Sequence, residues 1–335
     1  MDLVLVLVVA VVAIALGFDF VNGFHDASNA VATSVSTRAL TPHVAVVLAA
    51  VCNLVGAFLG TGVAETIGSG IIDIGLGPDA LWLLLAALTG AITWQLITWR
   101  FGLPSSSSQA LIGALAGAGL VAGATVHWGV VLDKVVVPMV LSPLAGFAAA
   151  YAAMLAVLWA FRRSAPAPTH RRFRLAQTVS ASAMALGHGL QDAQKTMGVI
   201  VLALVAGGLH GDEDFSIPVW VKVAAAVVIS AGTYAGGWRI MRTLGRRIID
   251  LDPARGFAAE AVSSAVLYVA ALGYHSPVST TQTIASAIAG AGATRRWSAV
   301  RWGVARSMVL AWMLTLPVSA GFAALLALLL VRPLG

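Results

Sequence analysis

The sequence predicts an all-α polytopic membrane protein made of two inverted-topology repeats of about five crossings each, or roughly 10–12 transmembrane segments counting broken or re-entrant helices. Two observations carry this. The 335-residue chain is 59% hydrophobic and 10% charged, with a mean hydropathy of +0.91. That is more apolar surface than one soluble core can hide, so lipid must be its solvent. In addition, two polar motifs set in apolar sequence recur in the same order in the second half.

Taken in order, crossings are expected at 1–35, 43–63, 80–99, 103–125 and 135–161, then at 175–209, 217–238, 257–274, 278–293 and 303–331. The runs Leu3–Leu16, Val44–Leu59, Ala80–Ile97, Val135–Ala160 and Met308–Val331 match or approach the ~20 apolar residues that cross a bilayer. The first run is not read as a signal peptide, because Met1-Asp2 offers no basic n-region and no small-residue cleavage site precedes Asp26. Segments 1–35 and 175–209 are too long for one straight crossing: at ~1.5 Å per residue each would reach roughly 50 Å against a hydrocarbon core of ~30 Å. A break is therefore expected near the Gly-x-x-Asp motif of each, lining a cavity or buried in protein.

Of the 20 basic residues 17 are Arg, so the net charge of +6 reads as loop topology, and nucleic acid is not an expected partner. The basic residues gather at Arg162–Arg174, Arg239–Arg255 and Arg295–Arg301, while Glu65, Asp73, Asp79 and the run Asp212-Glu213-Asp214 mark other loops. The positive-inside rule puts the basic loops in the cytoplasm and both termini outside. The domain reading is a first repeat over 1–161, a cytoplasmic linker over 162–174 and a second, inverted repeat over 175–335. Modules of an odd number of crossings, joined in series, must insert in opposite senses.

The repeats are visible in the residues. Gly23-Phe24-His25-Asp26-Ala27-Ser28-Asn29-Ala30 aligns with Gly189-Leu190-Gln191-Asp192-Ala193-Gln194-Lys195-Thr196, and Pro104-Ser105-Ser106-Ser107-Ser108-Gln109 aligns with Pro277-Val278-Ser279-Thr280-Thr281-Gln282. The two offsets differ by only a few residues, so both pairs report one duplication.

Asp26 and Asp192 are matched carboxylates deep in apolar segments, where a charge costs at least ~2.5–3.5 kcal/mol and is functional by default. Asp19 and Asn22 extend the polar face of the first segment toward a cation lane. The proline-led hydroxyl runs read as helix N-termini, whose free N–H groups and hydroxyls suit a tetrahedral oxyanion. The anion-binding candidates are Asp26, Asn29, Ser106, Ser107, Ser108, Gln109, Asp192, Lys195, Thr196, Ser279, Thr280, Thr281 and Gln282, and the cation candidates are Asp26, Asp192, Asn22 and Asp19. Lys195 is the natural charge partner of Asp192 or of the anion. Glu260 is balanced between an interfacial charge and a functional one, and His25 and His188 read as satisfied hydrogen-bonding residues.

Enzymatic chemistry is not expected. There is no His-Glu dipeptide, none of the three lysines follows a glycine, and no nucleophile–base motif is visible. Cys52 lies in an apolar run as packing. No resident cofactor or metal is expected beyond a co-transported Na⁺ or H⁺ at Asp26 and Asp192.

Segments 22–33, 103–109, 192–198 and 277–282 together resemble the inorganic phosphate transporter (PiT) family, bacterial branch, over nearly the whole chain. The resemblance implies a symporter of phosphate with H⁺ or Na⁺ in the bacterial inner (cell) membrane, with its binding site between the repeats. A homo-oligomer is compatible with it. Bacterial members of that family usually carry His after each hydroxyl run where this chain has Gln109 and Gln282, so a proton-handling role for those histidines is absent. The alternatives are a sulfate permease of the same family or a passive anion channel.

Overall fold

The computed structural model describes residues 2–211 and 216–330. The acidic run Asp212-Glu213-Asp214 and the C-terminal end, both expected outside, lie outside the described residues. Helix dominates because an apolar chain in lipid must satisfy its backbone internally.

The first half comprises α1 (Leu3–Ser36), α2 (Pro42–Gly56), α3 (Gly62–Ser69), α4 (Pro78–Phe101), α5 (Ser107–Ala122), α6 (Trp128–Val131) and α7 (Val137–Ala160). A π-helical turn over Leu132–Val136 fuses α6 and α7 into one span. The second half comprises α8 (Pro166–Ala206), α9 (Val219–Ala235), α10 (Trp238–Arg242), α11 (Pro253–Tyr268), α12 (Thr280–Ala293) and α13 (Trp302–Leu330). A two-stranded antiparallel ribbon, β1 (Ile72–Asp73) with β2 (Thr125–Val126), ties the α3–α4 connection to the α5–α6 connection.

Among the described residues, five helices are long and apolar enough to cross a membrane: Leu3–Ser36, Pro78–Phe101, Trp128–Ala160, Pro253–Gly273 and Trp302–Leu330. Val219–Ala235 and Trp238–Arg247, bent by 57° at the Gly236-Gly237 break, make a sixth. The expected crossings at 43–63, 103–125 and 278–293 are corrected. They fold as α2, α5 and α12, of 15, 16 and 14 residues, which at ~1.5 Å per residue span only about 21–24 Å.

The expected breaks near the Gly-x-x-Asp motifs are absent. α1 runs unbroken for 34 residues and α8 for 41, so most of the stretch read as a linker, from Pro166 on, is the start of α8. Helices this long fit a bilayer by tilting and by extending past the hydrocarbon. Their motif glycines serve close packing instead. A Cβ on Gly23 would lie 2.4 Å from the Ile229 carbonyl oxygen of α9, and one on Gly189 would lie 2.2 Å from the Asn53 carbonyl oxygen of α2.

The interruptions fall before the hydroxyl runs. Gly102, in the left-handed region at φ 66°, ends α4, and Pro104 follows it. Residues 274–279, with Pro277, separate α11 from α12. Ser106 and Ser279 then cap α5 and α12, each side chain accepting from the backbone N–H of Gln109 or Gln282 at 3.2 Å. This is the reciprocal of the proline-and-hydroxyl signature of a helix start.

Packing partners correspond between the halves. α1 packs on α9, α4 and α8, while α8 packs on α2, α11 and α1. α13 lies against α5 and α4, and α7 lies against α12 and α11. The apolar core is divided: one cluster holds α1 up to Phe18 and α8 from Met197 on, with Ala193, and another holds α1 from Ala30 and α8 near Met184. Between the two clusters lie the polar motif segments of both long helices.

Candidate functional site

α1 and α8 pack side by side, and α5 and α12 bring their N-termini to the same level. Two tethers aim the extended stretches inward: Trp312 donates its indole N–H to the Pro104 carbonyl at 2.9 Å, and the Gln191 side-chain amide donates to the Ser276 carbonyl at 3.3 Å. The tips of the two stretches touch, with the Ser108 hydroxyl donating to the Val278 carbonyl at 3.1 Å.

Asp26 stands at the centre and is 1% exposed. Its carboxylate accepts from the Thr281 hydroxyl at 3.2 Å and the Ser107 hydroxyl at 3.4 Å, so one donor comes from each short helix. His25 Nδ1 lies 2.7 Å from the same carboxylate, and His25 Nε2 reaches Thr98 and Ser105 at 3.3 and 3.4 Å. Asp192, fully buried, pairs with the Lys195 ammonium, and His188 Nε2 lies 3.0 Å from its other oxygen, at ion-pair distance but outside hydrogen-bond alignment. Ligand-type atoms of Asp26, His188 and Asp192 all fall within 4.8 Å of one another. Two carboxylates this close in a buried place repel each other unless positive charge lies between or beside them.

Asn29 and Lys195 complete the cluster. The Asn29 amide donates to Thr280 at 3.2 Å and Thr281 at 2.8 Å, and Lys195 donates to Ser107 at 3.1 Å. The structure thus joins Asp26, Asn29, Ser107, Asp192, Lys195, Thr280 and Thr281 in one network, while Ser108, next to Ser107 in the chain, donates to the Val278 carbonyl. Ser106 and Ser279 are caps. Asn22 and Gln109 are buried with no hydrogen-bond partner on their side-chain polar atoms, as is the Gln282 carbonyl oxygen, and Asp19 is buried beside Thr196, Asp192 and Lys195. Such groups are costly unless a ligand, ion or water meets them.

A family model described as the phosphate transporter family matches residues 22–323, which contain every residue of this network. The chain belongs to the phosphate transporter family. A Rhizobium meliloti protein called "Probable low-affinity inorganic phosphate transporter" is 49% identical over 323 residues, 95% of each chain. A Bacillus subtilis protein of the same name is 44% identical over 328 residues, 97% of each chain. A solved structure described as "The sodium-dependent phosphate transporter" is similar in fold, with a TM-score of 0.85 over 97% of this chain and 99% of that one at 22% identity.

In this member of the phosphate transporter family, His25 and His188 are hydrogen-bonded, as expected, and both stand against the paired carboxylates. His188 and Asp192 share a helix face at i,i+4 spacing, which is a legible signal for a paired histidine. His25 is held against its neighbour Asp26 by tertiary contacts that the sequence does not announce. Glu260, on α11, is fully buried rather than interfacial: it accepts from Thr33 and Ser34 of α1 and from Ser180 of α8, the Ser34 bond being 2.6 Å. The spacing Asp26, Asn29, Thr33 along α1 points to this extension, since those residues share one face.

Proposed function

We propose that this chain is a symporter that carries inorganic phosphate into the cell together with Na⁺ or H⁺. The observation that carries the reading is the meeting of two buried carboxylates, Asp26 and Asp192, with hydroxyls from the N-termini of both short helices. Ser107, Ser108, Thr280 and Thr281, with the α5 and α12 N–H groups behind them, are the donors for a tetrahedral oxyanion. Asn29 and Lys195 orient those hydroxyls from opposite helices. A carboxylate beside a phosphate repels it, and a cation between them removes the repulsion. Moving each negative charge inward against an inside-negative potential costs ~2.3 kcal/mol per 100 mV, which co-transported cations offset.

Relatives named for inorganic phosphate support phosphate as cargo, and the fold neighbour named for sodium dependence makes Na⁺ a coupling ion to test first. The reading includes two inverted repeats, with the basic loops cytoplasmic and both termini outside. It is supported by the exchange of partners between halves, α1 on α9 against α8 on α2, and α13 on α5 against α7 on α12. Purified protein in liposomes should accumulate radiolabelled phosphate only under an imposed Na⁺ or pH gradient. Equilibration without accumulation, whatever the gradient, would instead mark a passive anion channel.

A further inference from the structure

The two motifs are equivalent in register but not in charge. Asp26 is followed three residues later by Asn29, and Asp192 by Lys195. The two side chains make mirrored contacts, because Asn29 donates to Thr280, the second-repeat match of Ser107, at 3.2 Å, while Lys195 donates to Ser107 itself at 3.1 Å. They fill the same place in the two halves, one neutral and one an ammonium.

The surroundings make this difference consequential. Lys195 is 0% exposed and is among the largest fully buried side chains, and its ammonium pairs with the equally buried Asp192. A buried lysine is tolerated where its charge is paired, and this one faces a carboxylate that would otherwise need a cation from solution. Asp26 has no such partner: its ion-pair contact among the described residues is His25, beside the hydroxyls of Ser107 and Thr281. Asp19 and His188 also face the Asp192–Lys195 pair, the first a buried carboxylate beside Thr196 and the second at 3.0 Å from Asp192.

We infer that the Lys195 ammonium is a tethered replacement for one coupling cation, neutralising Asp192 permanently and leaving the Asp26 half to recruit a cation from solution. This rests on the symport reading and sets its stoichiometry. A site with two matched carboxylates would carry a cation for each, whereas here one of the positive charges never leaves the protein.

The test is the number of cations carried per phosphate, read in proteoliposomes as the imposed cation gradient and membrane potential that just balance a phosphate gradient. Lys195→Asn, which copies the first repeat, should raise that number by one over wild type. Lys195→Arg keeps a fixed charge and should keep the wild-type number at whatever rate it transports. The double variant Asp192→Asn/Lys195→Asn removes a neutral pair and should also keep it. Phosphate binding to detergent-purified protein gives a second readout, in which Lys195→Asn should depend more steeply on cation concentration by one power. An unchanged cation count in Lys195→Asn overturns the inference, as does loss of phosphate binding by the folded variant at every cation concentration, which would make Lys195 a ligand of the anion. Wild type without gradient dependence would sink the symport reading itself, and a gradient-driven wild type with an unchanged variant would sink only this inference.

Discussion

Asp26 of α1 accepts hydrogen bonds from Ser107 at the start of α5 and from Thr281 at the start of α12, so one carboxylate is held between the N-termini of two helices from opposite halves of the chain. Moving either half relative to the other must break one of these bonds. In the proposed transport cycle this would couple whatever occupies Asp26 to the relative position of the halves.

Asp26→Asn and Asp192→Asn should each reduce gradient-driven phosphate uptake to background while the protein still inserts and purifies folded. At Asp26 the amide matches the carboxylate in shape and removes the charge that attracts a cation, whereas at Asp192 it leaves the buried Lys195 ammonium without its counter-charge. Uptake assays paired with detergent melting curves check this. Normal accumulation by either variant would reduce that carboxylate to a structural group.

Ser107→Ala and Thr281→Val should each raise the apparent KM for phosphate. A hydrogen bond to a charged group is worth about 1.5–3 kcal/mol, which converts to roughly 10- to 150-fold. Initial uptake rates over a phosphate series measure it. Unchanged KM in both variants would remove these hydroxyls from the anion.

Arsenate should compete with phosphate for uptake, and sulfate at large excess should not. Phosphate and arsenate keep an O–H at neutral pH, which an ionised Asp26 or Asp192, or the Asn29 carbonyl oxygen, can accept. Sulfate can only accept, and it would leave those oxygens facing it unpaired. Sites built on a substrate O–H can reject analogues lacking it by as much as ~10⁴–10⁵. Equal inhibition by sulfate and arsenate would mean that the site reads only tetrahedral shape and charge.

Gly189→Ala should lower the melting temperature, because its Cβ would stand 2.2 Å from the Asn53 carbonyl oxygen and neither backbone can yield cheaply. Gly17→Ala is the control: nothing lies within 4 Å of its added Cβ, and alanine in a helix interior gains about 0.5–1 kcal/mol over glycine. Thermal unfolding in detergent separates the two, and a Gly189→Ala protein as stable as wild type would refute the close-packing account.

A cysteine at Pro168, in a Cys52→Ala background, should react with a membrane-impermeant thiol reagent only from the cytoplasmic side. Position 168 lies on the exposed N-terminal turn of α8, within the basic stretch Arg162–Arg174. Labelling from outside intact cells would reverse the proposed orientation.

Much of the candidate site is legible in the sequence. Lipid as solvent follows from composition, and the matched motifs identify Asp26, Asp192 and the two hydroxyl runs, because each is a local pattern repeated at a fixed offset. The pairing of Lys195 with Asp192 was likewise within reach, since residues three apart on a helix are neighbours.

Other features depend on contacts between distant segments. The breaks expected at the Gly-x-x-Asp motifs rest on helix length set against bilayer thickness. That comparison cannot know that α9 and α2 press on Gly23 and Gly189 and use their missing side chains without interrupting the helix. The enclosure of Glu260 by Thr33, Ser34 and Ser180 joins three helices, so no window of sequence contains it. The same holds for Asp26 and Asp192. Chemistry marked each as functional within its own segment, but only the packing of α1 against α8 brings their carboxylates within 4.8 Å, because side-chain identity is written locally and distance between helices is set by everything packed around them.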